Sequence, residues 1–450
     1  MALFVFPYRG NKGIFVLPEK NSSGSMRGNK YMIKPIKIGA LVVAGALALA
    51  ACGGSSDSDS AAGGKVLVIS SDLPLQGSSA DASASTNNVI KLYLEQIGYK
   101  VGDFTIEFKE YDDSTAAKGA WDDAQCAKNA QDHVANAAEV AVIGTYNSGC
   151  AKIIVPVLNQ DPNGPMLMVS HANTNPGLTK TWDPGEPDKF YPTGKRNYAR
   201  VVTSDDYQGT AAAQFLKAEK AVTKCAVLND LQTYGQGVAT AVKAEMANQG
   251  IEVVVDEGWD AKQTSYTALM EKIKAAGADC LYIAGIFDNN GGQLVKDAAK
   301  VLGKATDFVT MAPDGFTGYP DLQKMPEAEG LLLSFTGLSQ AGILAAGGPA
   351  ADFVNAYKAK YGKEPAGSFP IYAGGALQVI LAAIEKSDGT RKSITEAVFS
   401  GEGITIAADK AVTGAEISID PATGDVRSKT ITIQIMTGGA ETDVMPWAIK

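Results

Sequence analysis

The feature that most constrains the fold of this chain is a regular alternation of short apolar segments with longer amphipathic ones, which begins at Lys65. The apolar segments are VLVI (66–69), FTIEF (104–108), VAVI (140–143), MLMV (166–169), CAVL (225–228), IEVVV (251–255), CLYIA (280–284), DFVTM (307–311) and GLLLS (330–334). Alternation of this kind predicts βα units whose strands form parallel sheets.

The predicted strands outnumber those of one sheet of average size, so two lobes are favoured over one. The stretch 176–196, PGLTKTWDPGEPDKFYPTGKR, is rich in Pro and Gly and predicts a connecting loop between two series of strands. Three long helices are then predicted over 350–361, 370–386 and 393–400. The segment 417–436, ISIDPATGDVRSKTITIQIM, predicts a hairpin of two alternating strands around a DPATGD turn.

Residues 1–51 predict a secretory signal rather than part of the folded body. The charge-free run 38–51, IGALVVAGALALAA, follows three lysines, which is the order of the n-region and h-region of a signal peptide. A run of this length is too short to span a bilayer comfortably. The residues that precede the lysines do not fit the n-region of a signal peptide. We therefore expect that translation starts at Met26 or Met32 and that the start at Met1 is assigned too far upstream.

Cys52 follows the apolar run directly, in LAAC, and resembles the lipidated cysteine of bacterial lipoproteins. Residues 53–64 are rich in Gly, Ser and Asp and predict a flexible tether. The alternative is a buried apolar helix with a chance cysteine. We expect an exported protein, held by lipid on Cys52 at the outer face of the cell membrane or in the periplasm.

Charge and motif content exclude several functional classes. The formal net charge is −9 although the first 51 residues carry seven Lys or Arg and one Glu, so the body is strongly acidic and nucleic acid is excluded as a partner. The only histidines are His133 and His171, which excludes His-rich metal sites, and we predict no metal and no cofactor. No GxSxG, GxxxxGK[ST] or post-strand GxGxxG motif is present, so we predict no enzymatic activity.

Paired aspartates occur at 112–113, 122–123 and 205–206. They predict solvated or helix-capping residues rather than acid/base pairs, because adjacent residues do not face each other on a helix. His171 follows a strand end and is a candidate for a site. His133, on a helix of mixed polarity, is predicted at the surface.

Four polar residues directly follow predicted strands: Ser148, Thr174, Tyr234 and Asp314. In open α/β sheets, ligands bind at the edge formed by these strand ends. Ser148 opens a helix, so its hydroxyl and the N–H groups of Gly149 and Cys150 suit an anion such as a carboxylate. A plain N-cap serine is the alternative. Asp314 suits an ammonium group, and an amino acid offers both charges.

Several segments together resemble the substrate-binding proteins of ABC importers for branched-chain amino acids, the type I periplasmic-binding-protein fold of the leucine/isoleucine/valine-binding kind. They are VAVIGTYNSGCAKIIVPVLNQ, MVSHANTNPGLT, YARVVTSDDYQGTAAAQFL, VLNDLQTYGQGVATAVKAEM, YTALMEKIKAAGADCLYIAG and VTMAPDGF. The resemblance runs in order from about Lys65 to Gly439. It implies two Rossmann-like lobes joined by three crossovers, with lobe 1 formed by 65–203 plus 336–426 and lobe 2 by 204–335 plus 427–450.

The resemblance also implies a set of ligand-binding residues. In chain order they are Ser148, Gly149, Cys150, Asn173, Thr174, Tyr234, Phe287 and Asp314. The ligand carboxylate is assigned to the first three, and the ammonium to Thr174, the Asn173 carbonyl and Asp314. Asp314 stands in PDG where the family has Glu in PEG, so the charge is kept on a side chain one methylene shorter.

Tyr234, in TYGQG, matches the tyrosine that closes over the ligand from the second lobe. The second aromatic residue of the family's site aligns near Phe287, or with Ile286 if the register slips by one. The loop LPLQGSSADAS replaces the family's GPLTG-type loop, which leaves contacts from Ser78 or Ser79 open.

The function implied is capture of an amino acid, branched-chain or otherwise aliphatic, by a monomer that delivers it to the membrane permease of an ABC transporter. Alternatives within the fold are an amide, urea-like or aromatic acid solute, and a sensory ligand-binding receptor domain. An enzyme on the same architecture is the alternative from another class, since fold alone does not fix function.

Disulfides persist in the oxidising environment of exported proteins. Three disulfide connectivities are possible for the four cysteines of the body, Cys126, Cys150, Cys225 and Cys280. Cys225 and Cys280 each open an apolar strand of the second lobe. Cys126 lies on the helix after YDDST, and Cys150 begins the next helix. We therefore predict the pairs Cys126–Cys150 and Cys225–Cys280, with four buried free thiols as the alternative.

Overall fold

The structure is a computed structural model that describes residues 65–449. The predicted signal segment 1–51, the lipidation site Cys52 and the tether 53–64 lie outside the described residues. Within 65–449, none of the helices is both long and apolar enough to cross a membrane.

The described chain alternates strands and helices as the sequence pattern predicts. The strands are β1 (Val66–Leu73), β2 (Lys100–Val101), β3 (Phe104–Asp112), β4 (Ser114–Thr115), β5 (Ala120–Trp121), β6 (Glu139–Gly144), β7 (Leu167–Ser170), β8 (Tyr198–Arg200), β9 (Lys224–Asn229), β10 (Glu252–Gly258), β11 (Cys280–Ala284), β12 (Val309–Ala312), β13 (Leu332–Phe335), β14 (Thr405–Ile406), β15 (Ile417–Ser418), β16 (Ile431–Thr437) and β17 (Ala440–Trp447). The helices are α1 (Ala80–Gln96), α2 (Asp123–Ala135), α3 (Ser148–Asn159), α4 (Asp205–Lys220), α5 (Thr233–Asn248), α6 (Thr267–Ala275), α7 (Gly291–Val301), α8 (Pro320–Gln323), α9 (Gln340–Ala346), α10 (Gly348–Tyr361), α11 (Phe369–Glu385) and α12 (Arg391–Phe399). Each of the nine apolar segments overlaps with one strand of the structure.

The first sheet has the strand order β2-β3-β1-β6-β7-β8. Its strands are parallel except for the short edge strand β2. β6 and β7 are buried along their whole length because helices pack on both faces, which explains their continuous apolar runs. The core of this lobe includes Ile69, Ile143 and Val169, packed with Ala376 and Ile380 of α11.

The second sheet has the strand order β10-β9-β11-β12-β13-β16-β17. Its first five strands are parallel, and the two last strands of the chain add to it in antiparallel orientation. A separate core fills this lobe, with Val227, Leu281 and Met311 from the strands. The mixed α/β architecture with parallel sheets is the predicted fold class.

The chain passes between the two sheets three times, after β8, after β13 and before β16. The three crossing segments are hydrogen-bonded to one another: the N–H of Thr203 donates to the carbonyl of Thr336 at 3.0 Å, and the Thr203 hydroxyl donates to the carbonyl of Thr430 at 3.1 Å. This side-by-side arrangement is suited to a hinge, because it joins the lobes through a few residues only. The lobe boundaries given above stay a prediction.

Two local predictions are wrong. The two strands predicted in 417–436 do not pair with each other: an antiparallel bridge joins Ile419 to Val426 around the turn, but β15 pairs with β14 and β16 belongs to the second sheet. The DPATGD turn closes, with the N–H of Gly424 bound to the carbonyl of Asp420 at 2.7 Å, but the chain then crosses to the other lobe. The loop 176–196 connects β7 to β8 within the first sheet and does not separate two series of strands. The prediction missed β8 because this strand has only three residues.

His133 is fully buried and not at the surface. Its two ring nitrogens lie 3.1 Å from Asp72 and 2.5 Å from Glu139, so α2 is tied to β1 and β6. Burial opposes the charged imidazole, but the hydrogen bonds with these carboxylates raise the pKa of His133 to about 9. The mixed polarity of α2 predicts an exposed face, so the sequence gives no sign that the helix carries a buried charge network.

The four cysteines of the body form two bonded pairs. Cys126 of α2 is joined to Cys150 of α3 with Cα atoms 5.6 Å apart, and Cys225 of β9 to Cys280 of β11 with Cα atoms 4.4 Å apart. Cys225 and Cys280 are register partners in the parallel pair β9–β11. Each pair therefore crosslinks two neighbouring elements of one lobe.

Candidate functional site

A narrow cleft, called here the inner cleft, lies between the lobes at the carboxyl ends of strands from both sheets. It is lined by Tyr146, Asn147, Ser148, Ala172, Tyr234, Ile286, Asp314, Gly315 and Phe369. The strands β6, β7, β9, β11 and β12 end just before these residues. This is the edge at which open α/β sheets bind ligands.

Ser148 forms part of the inner cleft as the first residue of α3. The N-cap position is Asn147, and neither Asn147 nor Ser148 caps the helix through its side chain. The N–H groups of the first turn, from Ser148 to Cys150, have no acceptor within the helix and face the site with the positive end of its dipole. Gly149 allows a close approach here, since a Cβ atom would lie 2.5 Å from Trp121. This end of the cleft suits a carboxylate.

Thr174 and Asn173 lie behind the wall of the inner cleft, and Ala172 is the residue that lines it. The hydroxyl of Thr174 is buried beside the Asp205 carboxyl and, as a hydrogen-bond partner, lowers the pKa of that carboxyl. The Asn173 carbonyl instead accepts a hydrogen bond from Arg200 at 3.1 Å. The Asn173 carbonyl, which was predicted to bind the ligand ammonium, thus already accepts a hydrogen bond from the protein itself.

Asp314 is buried at the opposite side of the inner cleft, on the second lobe. The hydroxyl of Tyr234 donates to its Oδ1, and the hydroxyl of Thr336 donates to its Oδ2 at 3.0 Å. Gly315 lets the backbone lie against the tyrosine, because a Cβ there would be 2.8 Å from the Tyr234 ring. Burial raises the pKa of Asp314, although these hydrogen bonds oppose the rise. Tyr234 and Asp314 therefore act as one unit.

Asp205, the first residue of α4, is a buried acid behind the inner cleft that sequence reasoning missed. It is fully buried, and its N–H donates to the carbonyl of Thr174 at 2.9 Å. Gln208 joins it to Asp314: the amide nitrogen donates to Asp205 at 3.1 Å and the amide oxygen accepts from the Asp314 N–H at 3.0 Å. Burial and the neighbouring Asp314 raise the pKa of Asp205 well above its usual range.

The Asp205–Asp314 pair has no counter-cation of its own. Within residues 65–449, neither carboxylate makes an ion pair with a Lys, Arg or His. The nearest guanidinium, Arg200, is bound to Asp425 at 2.7 Å and to two backbone carbonyls. Two buried acids that share a site hold one proton or attract a cation, so this end suits a ligand ammonium.

Ile286, not Phe287, lines the inner cleft. Asp230 fixes this loop by accepting hydrogen bonds from the N–H of Ile286 at 3.0 Å and the amide of Asn289 at 2.7 Å. Phe287 faces a larger outer cleft of about 1180 Å³, where its ring packs 5.0 Å from that of Tyr319. His171 is buried with both nitrogens unpartnered, and it does not line the inner cleft.

The family model described as periplasmic binding protein matches residues 72–432, most of the chain. The chain belongs to that family.

Relatives of this periplasmic binding protein differ in the ligands that their names give. The leucine-, isoleucine-, valine-, threonine- and alanine-binding protein of Pseudomonas aeruginosa is 28% identical over 53% of this chain, which spans 58% of that relative's length. A branched-chain amino acid transporter substrate-binding protein of Streptococcus pneumoniae, in complex with isoleucine, is 20% identical, with a TM-score of 0.68 over 85% of this chain and 100% of that one. A solute-binding protein from R. palustris, in complex with benzoate, is 17% identical, with a TM-score of 0.68 over 86% of this chain and 98% of that one. At these identities the structures show a shared fold.

As in any binding protein with a two-lobed architecture, the volume of the site depends on how the lobes are placed. The inner cleft has a volume of about 20 Å³, which is room for about one water molecule. A ligand larger than a water molecule can therefore enter only if the lobes separate and close again around it.

Proposed function

We propose that this protein captures an α-amino acid between its two lobes and delivers it to the membrane permease of an ABC transporter. The observation that carries the proposal is the pairing of opposite polarities across the inner cleft. The N-terminus of α3 with Ser148 suits the carboxylate, and the buried pair of Asp205 and Asp314 suits the ammonium. A zwitterion is costly to desolvate unless both ends find such partners.

Ala172, Ile286 and Phe369 give the inner cleft apolar walls, which suit the methylene groups of a ligand side chain. The branched-chain or aliphatic ligand that we expect from the resemblance is in line with the name of the Pseudomonas aeruginosa relative. An aromatic acid, as in the R. palustris complex, carries a carboxylate but no ammonium. It would leave Asp205 and Asp314 without a counter-charge, so the amino acid is the better fit.

The remaining parts of the proposal concern the setting in which binding happens. We place the protein outside the cytoplasm as a monomer, anchored by lipid on Cys52 and separated from the membrane by the tether 53–64. Binding, not catalysis, is its role: the cleft offers partners for the two ends of a ligand, and the lobes close over it.

Mass spectrometry of the small molecule released when freshly purified protein is denatured tests the function. We expect an intact α-amino acid in a ratio of about one per chain, and calorimetric titration with that compound should reproduce the binding. Conversion of the compound during incubation with the protein would instead favour an enzyme. Release of a solute that has no amino group would contradict the assigned role of the two aspartates.

A further inference from the structure

A third carboxyl, Asp288, lies between the lobes, directly after Phe287 of the outer cleft. Its Oδ1 is shielded from solvent, and its Oδ2 accepts a hydrogen bond from Ser79 of the first lobe. Burial raises the pKa of Asp288 to about 6, against hydrogen bonds from Ser79, Tyr319 and Ser78 that lower it. The carboxyl therefore has hydroxyl partners but no cationic one, and a buried carboxylate without a counter-charge costs free energy until a ligand supplies that charge.

Hydroxyl groups connect Asp288 to the inner cleft. Ser79 Oγ lies 3.4 Å from Tyr319 Oη, and Tyr319 is hydrogen-bonded in turn to Tyr146, which lines the inner cleft. Burial, then the charges of Asp288 and Asp314, raise the pKa of Tyr146, so its hydroxyl lies within electrostatic range of both carboxylates. A ligand bound through Asp314 can thus extend past Tyr146 toward Asp288.

No cationic side chain of the described residues neutralises Asp288. Lys118, Lys262 and Lys296 line the outer cleft, but none of them makes an ion pair with this carboxylate. Lys118 is bound instead to Asp122 and Asp123, both at 3.2 Å. Asp288, which lines the outer cleft, therefore lacks a cationic partner, as the Asp205–Asp314 pair beside the inner cleft does.

We propose that the ligand is an α-amino acid whose side chain ends in an amino group, with Asp288 as the residue that binds this terminal ammonium. The inference rests on the proposed function, which accounts for the α-carboxylate and the α-ammonium. The methylene groups of such a side chain lie against Ala172, Ile286 and Phe369, and the hydroxyls of Ser79, Tyr146 and Tyr319 surround its tip. Asp288 then decides specificity between a diamino acid and a purely aliphatic one.

Calorimetric titration with L-ornithine and L-norleucine tests the proposal, because the two side chains have nearly the same shape and differ in the terminal charge. We expect ornithine to bind about thirtyfold more tightly, as is typical of one charge-assisted hydrogen bond to a buried group. Asp288→Asn should remove this preference and leave the affinity for norleucine unchanged. Asp321→Asn is the matched control, since Asp321 lines the same outer cleft but is exposed, and it should change neither affinity.

Thermal unfolding shows whether Asp288→Asn is folded, and Tyr319→Phe offers a second, milder variant that should weaken ornithine binding severalfold. Equal affinities of the wild type for ornithine and norleucine would overturn the inference and leave the proposed function standing. A loss of affinity for both ligands in Asp288→Asn would also overturn it, because Asp288 would then act as a contact that closes the lobes. If ornithine, norleucine and leucine all fail to bind, the proposed function itself fails.

Discussion

At the scale of single residues, the proposed function assigns the positive end of the ligand to Asp314. We expect Asp314→Asn to weaken amino-acid binding by about 2 to 5 kcal/mol, because a buried ammonium loses a counter-charge while Tyr234 and Thr336 keep their places. Isothermal titration calorimetry measures the change, with Asp321→Asn as an exposed control on the same lobe. Unchanged affinity in Asp314→Asn would exclude a role in ammonium binding.

The proposed function assigns the opposite end of the ligand to the Ser148 hydroxyl and the N-terminus of α3. Ser148→Ala should cost less, about 1 to 3 kcal/mol of binding free energy, since the first turn of α3 still supplies its N–H donors. The same titration gives the affinity, and denaturant unfolding of the ligand-free protein gives the stability. A fall in stability at constant affinity would show that Ser148 serves the helix and not the ligand.

The pair of Asp205 and Asp314 makes binding depend on pH. Burial and mutual repulsion raise the pKa of Asp205 well above its usual range, so the ligand-free pair retains a proton where a free aspartate has lost it. An ammonium favours the carboxylate form, so binding releases that proton and the affinity should rise with pH from about pH 4 toward neutrality. Titrations in buffers of different ionisation enthalpy count the protons released. Asp205→Asn should release fewer protons, and a variant that releases as many as the wild type would contradict this account.

At the scale of secondary-structure elements, His133 ties α2 to β1 and β6 through Asp72 and Glu139. The pKa of His133 is raised from 6.5 to about 9 in the folded chain, so its contribution is fully present below about pH 6.5 and is lost as the pH rises through about 9. We expect the free energy of unfolding to fall across this window, measured with urea at several pH values.

His133→Gln provides the control for this prediction. The substitution leaves two buried carboxylates without a cation and should cost about 3 to 5 kcal/mol at about pH 6. The difference in stability between wild type and variant should shrink as the pH increases to about 9.5. A constant difference over that range would mean that the imidazole is neutral in the folded protein.

At the scale of the whole molecule, each disulfide stabilises one lobe and neither joins the two. The closed loops span 24 residues for Cys126–Cys150 and 55 for Cys225–Cys280, which by loop entropy correspond to about 3 and about 4 kcal/mol. Denaturant unfolding with and without a dithiol reductant should show a loss of this size. Four free thiols titrated in the unfolded, unreduced protein would contradict both pairs.

Because the two lobes have separate cores and meet through three crossing segments, ligand binding acts on their relative placement and not on either core. A ligand that contacts Ser148 on one lobe and Asp314 on the other favours the closed arrangement by the difference in its affinity for the two states. The hydrogen bonds between Thr203, Thr336 and Thr430 join the crossing segments to one another.

The sequence by itself determined the α/β class, the nine strand segments and the strand ends that carry Ser148, Tyr234 and Asp314. These features are local, because a buried parallel strand needs an uninterrupted apolar run and the residue after it must lie at the sheet edge. The resemblance supplied the family. Each of these conclusions depends on residues that are close in the chain.

Only the tertiary structure decided which polar groups are buried together. Asp205 has the sequence signature of a helix-starting aspartate, and its role depends on Gln208 and on Asp314, more than 100 residues away. The choice of Ile286 over Phe287 is made by hydrogen bonds to Asp230, and the burial of His133 by carboxylates on two strands. Such contacts depend on long-range packing, which turns a charged residue that is ordinary in the sequence into a buried, functional one.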